Sequence, residues 1–125
     1  MAVAPTAIVS LDCAEPRLLA DFWAAMLGGE IAFVRPSAVG VRSAGGMWLV
    51  ALRVDDYVAP TWPSPDVPKQ IHLDLPVTDL AAAVSEAESL GATLALMQPN
   101  PEVFRVLLDP AGHPFCLTTA VGALA

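Results

Sequence analysis

Basic residues are scarce in this sequence. Six Lys and Arg are scattered singly through 125 residues, against thirteen Asp and Glu. Without a basic cluster there is no electrostatic footprint for nucleic acid. The resulting net charge of −7 aids solubility and by itself names no partner. Cysteine is nearly absent too. Cys13 and Cys116 show no CxxC spacing, and in a cytosolic chain such thiols are expected to be free, buried and hydrophobe-like. No apolar run reaches the roughly 18 residues that a membrane helix needs. The start, Met1 to Ser10, has no basic segment ahead of its apolar residues, so it does not read as a signal peptide. These absences lead us to expect a cytoplasmic protein with neither a nucleic-acid nor a membrane partner.

What is plentiful is apolar surface. Hydrophobic residues make up 55% and charged residues 15%, the reverse of a disordered composition. A chain of 125 residues fits one domain that buries about two thirds of its unfolded surface, enough to fold without a disulfide or a metal.

A faint internal repeat organises the chain. Ile8 to Cys13 is strand-like, Pro16 to Leu27 is helical, and Gly28-Gly29 follows. Gln70 to Leu75 is strand-like, Val77-Thr78-Asp79-Leu80 leads into a helical stretch ending at Leu90, and Gly91 follows. The Leu-Asp pairs of the two strands stand 62 residues apart and the Leu-Gly pairs that end the helices 63 apart, so one residue is inserted between strand and helix in the second copy. Pro16 suits a helix opening, where its missing N–H costs little. Leu19, Phe22, Trp23 and Met26 follow with the spacing of one buried face, and Gly28 suits the position just past the end. In the second copy Thr78 is expected as the N-cap and Asp79 as a complement to the helix dipole. Leu80, Ala83, Val84 and Ala87 form its stripe.

Three strand-like stretches follow each helix. In the first half these are Glu30–Arg35, Ala38–Arg42 and Met47–Val54. In the second they are Thr93–Met97, Val103–Leu108 and Pro114–Thr119. Pro36-Ser37, Ala44-Gly45-Gly46, Pro99-Asn100-Pro101 and Asp109-Pro110-Ala111-Gly112 supply the turns between them. Between the halves, Asp55 to Lys69 carries four prolines and reads as an extended, stiff connector, with Trp62 packing back on the domain. The expected fold class is α+β, a single domain over 1–125 made of two βαβββ modules, about 6–54 and 70–120, joined by the connector 55–69.

The order and spacing of His72-Leu73-Asp74-Leu75, Leu90-Gly91-Ala92 and Asp109-Pro110-Ala111-Gly112-His113-Pro114-Phe115-Cys116-Leu117 resemble the glyoxalase/bleomycin-resistance, or vicinal oxygen chelate, superfamily. The resemblance covers nearly the whole chain. It implies that the two modules pair their sheets into a cup-shaped mixed β-sheet with the helices outside, and that the cup is the ligand site. It also implies a homodimer. In metal-dependent members four inward-facing residues, from the first and last strands of each module, meet in the cup.

Strand alternation decides which side chains face that cup. If His72 faces in, so does Asp74, while Ile71, Leu73 and Leu75 pack under the helix. Ser10 and Asp12 are their counterparts in the first module. The family's remaining ligand positions fall on Leu52 and Cys116, with Trp48 and Val50 on the same face as Leu52. The implied ligand set is therefore Ser10, Leu52, His72 and Cys116. Leu52 offers no donor atom, Ser10 is a weak one, and two ligands make a poor site. The expectation is no metal and no cofactor.

Each candidate has a plainer role open to it. His72 can be a pocket histidine bonded to Asp74, Ser10 or a backbone carbonyl, or a general base. Asp12 and Asp74 can pair with Arg53 or Arg105. His113 suits a turn, and Cys116 an inert buried thiol. Trp48, Val50 and Leu52 can wall a pocket or simply fill a core. The favoured function is a degenerate, metal-free module that binds a small apolar or aromatic molecule through Ser10, Trp48, Val50, Leu52, His72, Asp74 and Cys116. The alternative is a metal-dependent or His72-based lyase, isomerase or dioxygenase, so enzyme status stays open at this point.

Overall fold

In the computed structural model, which describes residues 2–120, strand β1 (Ile8–Cys13) buries Leu11 and Cys13 and leaves Ser10 and Asp12 exposed. The alternation follows from the two-residue period of a strand with one covered face. What covers it is α1 (Pro16–Met26), which opens on a proline and buries Leu19, Ala20, Phe22 and Trp23. Phe22 and Trp23 meet edge to face, with centroids 5.2 Å apart, a favoured aromatic geometry. Gly28 follows the helix at φ 59°, a conformation that costs a glycine little. Three strands come next: β2 (Glu30–Arg35), β3 (Ala38–Arg42) and β4 (Trp48–Arg53).

These strands form a sheet in the order β1-β4-β3-β2. β1 runs parallel to β4, and the other pairs are antiparallel. The crossover through α1 explains the parallel pair, and tight turns explain the rest. Under the helix lie Leu11, Cys13, Val39, Val41, Leu49 and Ala51, all buried. The Cys13 thiol donates to the Leu52 carbonyl at 3.6 Å, so it is a core residue as the sequence led us to expect.

The second module repeats the pattern with β5 (Leu73–Pro76), α2 (Leu80–Leu90), β6 (Thr93–Leu94), β7 (Phe104–Leu108) and β8 (Pro114–Thr118), in the sheet order β5-β8-β7-β6. Again only the first pair, β5 with β8, is parallel. Val84 and Ala87 of α2 are buried. Leu107, Phe115 and Leu117 are the buried residues on the helix side of the sheet. Asp109 is buried, and its Oδ1 accepts from the N–H groups of Ala111 and His113 at 3.0 and 2.9 Å. It thereby builds the β7–β8 turn in which His113 sits. The chain divides into two compact units, with the boundary between Tyr57 and Val58. Each unit is α+β with one helix on one face of an open four-stranded sheet.

Local differences from expectation have physical causes. Asp79, not Thr78, is the N-cap of α2, because its carboxylate accepts from the Ala82 N–H at 3.0 Å. A carboxylate both caps and complements the dipole. β5 starts at Leu73 rather than Gln70, and Ile71 stays exposed. β6 stops at Leu94 instead of Met97. There the Gln98 side chain takes over the ladder, donating to the Ala95 and Val106 carbonyls and accepting from the Val106 N–H, each at 2.9 Å. The proline-rich connector is not extended throughout. Thr61 closes it into a loop, its N–H donating to Val67 O at 2.7 Å and its hydroxyl to Ser64 O at 2.7 Å. The prolines in that segment limit the backbone, and one threonine supplies the bonds that bend it.

Candidate functional site

The face of the second sheet that α2 does not cover carries a cavity of about 560 Å³. It lies within the size range of small-molecule sites. Strand register places its floor. Asp74 is paired with Cys116 across β5–β8, and Cys116 with Val106 across β8–β7. His72 precedes Asp74 by two residues and so shares its face. Phe104 lies opposite Thr118 on the same side. Loops raise the walls: Trp62 and Lys69 come from the segment before β5, and Pro99 from the segment after β6. Gln98 pins the β6–β7 loop to Val106 and so fixes Pro99 above the floor.

The polar groups form a small cluster. Nε2 of His72 lies 3.0 Å from Oδ1 of Asp74. A carboxylate only accepts, so Nε2 carries the hydrogen. Nδ1 of the same ring is buried and has no hydrogen-bond partner among the described residues. The Cys116 thiol is pushed up from 9.0 to about 11, first by burial and then by the negative charge of Asp74, with Lys69 pulling the other way. A thiol so held stays protonated and unreactive near neutrality. Among the described residues neither Cys13 nor Cys116 forms a disulfide.

The donor atoms of His72, Asp74 and Cys116 lie within 4.8 Å of one another. Spacing of this order suits three ligands of one ion, and the mixed nitrogen, oxygen and sulfur set suits a thiophilic cation of the zinc class. The sequence pointed to two of these donors. Asp74 is the third, and it pairs with His72 rather than with Arg105, whose Nε instead donates to the Pro101 carbonyl.

Of the seven residues singled out from sequence, four lie on the first module and three on the second. Ser10 faces Val50 across β1–β4, and Trp48 and Leu52 follow on the same side of β4, away from α1. Leu52 is 39% exposed. His72, Asp74 and Cys116 converge as described. Each set gathers within its own module. Sequence reasoning missed Trp62, Lys69, Pro99, Phe104, Val106 and Thr118 as lining residues. The alternation of β7 carried a signal for Phe104 and Val106; the loop residues carried none.

A family model described as the glyoxalase-like domain matches residues 8–118. The sequence matches no curated protein. Several solved structures share the fold. A fosfomycin resistance protein, FosX, from Listeria monocytogenes, complexed with Mn(II) and a dihydroxypropylphosphonic acid, is 14% identical with a TM-score of 0.69, over 94% of this chain and 91% of that one. The bleomycin-binding protein from Streptomyces verticillus, complexed with copper(II)-bleomycin, is 21% identical with a TM-score of 0.61, over 96% and 99%. A glyoxalase-related enzyme from Fulvimarina pelagi is 20% identical with a TM-score of 0.64, over 93% and 88%. At these identities the likeness shows the fold alone.

Proposed function

The chain belongs to the glyoxalase-like domain family of the vicinal oxygen chelate superfamily, and on that premise we propose that it binds a small apolar or aromatic molecule without a metal. The supporting observation is the cavity of about 560 Å³ on the second module, where Trp62, Pro99, Phe104 and Val106 supply apolar wall beside the His72 cluster. An apolar recess with a few placed polar groups is how small-molecule sites are built. The buried Nδ1 of His72, without a hydrogen-bond partner among the described residues, is a place for one polar group of the ligand, since an unmet buried polar atom costs about 1–3 kcal/mol. That the bleomycin-binding protein holds copper(II)-bleomycin is consistent with a binding role on this fold.

The test is thermal unfolding of metal-stripped protein against a library of aromatic and alicyclic compounds. Ligands of the pocket raise Tm by mass action, and Val106→Trp, which fills the floor, removes the rise. If no compound shifts Tm at millimolar concentration, the binding role fails.

A second reading rests on the three donors within 4.8 Å. His72, Asp74 and Cys116 would hold a thiophilic ion, which when bound would act as a Lewis acid toward a ligand oxygen. The protein would then be a lyase, isomerase or dioxygenase, with His72 as the alternative base if no ion binds. Elemental analysis of freshly purified protein separates the two readings. A stoichiometric metal that is lost in His72→Ala favours the enzyme; metal-free protein that still binds pocket ligands favours the module proposed first.

A further inference from the structure

Resting on that pocket reading, we propose that the molecule it holds is an acid: a carboxylate carried on an aromatic or alicyclic body, selected by Lys69. Lys69 is the cationic side chain among those lining the cavity, and it makes no ion pair with any described residue. Arg17 pairs with Asp21 and Arg42 with Glu30, Arg105 donates to the Pro101 carbonyl and Arg35 lies over the Phe33 ring; Arg53, like Lys69, forms no ion pair among the described residues, but it does not line the cavity. In a chain of net charge −7, Lys69 is thus the cation that a ligand in this recess would meet.

Asp74 also lines the cavity, its Oδ1 bonded to His72, and its negative charge reaches Cys116. An acid in this cavity would therefore seat its carboxylate toward Lys69 and away from Asp74. Lys69 follows Pro68, whose ring fixes its own backbone φ, and stands four residues before β5, so the base of the side chain is held close to a strand while its stem stays adjustable. Its charge is felt at the cavity floor, where it favours the Cys116 thiolate.

A carboxylate fits better than a phosphate. Phosphate sites draw on several backbone N–H groups at a helix N-terminus, or on more than one cation, and neither lines this cavity. Trp62 and Phe104 line the cavity and offer aromatic surface for the body of the ligand. The cavity volume of about 560 Å³ accommodates one or two fused rings.

Calorimetric titration of the full chain with three isosteric probes, 2-naphthoate, 2-naphthamide and 2-naphthylmethylammonium, tests this. The carboxylate is expected to bind up to about fivefold tighter than the amide, the upper range of a solvent-accessible ion pair, and the ammonium weakest. The carboxylate-to-amide ratio falls to about one in Lys69→Gln, persists in Lys69→Arg, and shrinks in high salt. Equal binding of carboxylate and amide, or preference for the ammonium, overturns the acid assignment and leaves the pocket reading standing. Binding of none of the probes, together with a silent library screen, overturns both.

Discussion

Asp74 serves two neighbours at once: its Oδ1 lies 3.0 Å from Nε2 of His72, and its charge helps to push the Cys116 thiol up to about 11. Burial is the larger cause and the carboxylate the second. Asp74→Asn keeps the shape and removes the charge. Cys116 is therefore expected to ionise at lower pH in the variant and to alkylate severalfold faster with iodoacetamide at mildly alkaline pH. Mass spectrometry of the Cys116 peptide measures the rate separately from Cys13. An unchanged or slower rate would mean that the carboxylate is not felt at the thiol.

The same thiol makes stability depend on pH at the alkaline end. In the unfolded chain Cys116 ionises near 9.0, and in the folded chain near 11. Between those values the unfolded chain releases a proton that the folded chain keeps, which favours unfolding. The contribution is complete below pH 9 and is lost as pH rises toward 11. Urea unfolding of the wild type should therefore weaken more steeply over that range than unfolding of Cys116→Ala. The variant pays a fixed cavity cost at every pH, so the gap between the two curves is expected to narrow. A constant gap would contradict the shift.

The parts of the fold that local physics governs were readable in the chain. Pro16, the spacing of Leu19, Phe22 and Trp23, and the glycines after each helix specified α1 and α2 within a residue or two. β2 and β3 run over the residues expected. The errors lie where a side chain replaces backbone pairing, as Gln98 does beyond β6, or where a hydroxyl closes a loop, as Thr61 does. Alternation likewise put His72 and Asp74 on one face, and the family resemblance added Cys116. It could not supply Lys69 or Pro99, because loop residues have no period and reach the cavity through tertiary placement alone.

Gln98 offers a direct check on that substitution of side chain for strand. Its amide makes three hydrogen bonds of 2.9 Å to backbone groups, two of them at the buried Val106. Gln98→Ala leaves those groups unmet, at a cost of about 1–3 kcal/mol. It also frees the loop that carries Pro99, so ligand affinity should fall along with stability. Gln98→Glu keeps the acceptor for the Val106 N–H but places an anion against two carbonyls, and should be no better. Chemical unfolding and pocket-ligand titration of the two variants measure both effects. Wild-type stability in Gln98→Ala would show that water replaces the amide without loss.

In the first module the corresponding test is steric. Gly40 of β3 pairs with Phe33 of β2, and the aromatic ring lies over the glycine so closely that any Cβ there would overlap it. Glycine weakens a strand interior, and the ring repays part of that by covering the bare backbone. Gly40→Val supplies a better strand former yet forces Phe33 aside, so the net effect is expected to be destabilising by about 1–3 kcal/mol, the usual cost of overpacking. Phe33→Ala removes both the ring and the obstruction. The double variant should then be more stable than the sum of the single changes predicts, a coupling of the kind seen between residues in contact. Urea midpoints of the four proteins in the cycle measure it. Strict additivity would mean that Phe33 moves freely and that Gly40 is not held by its neighbour.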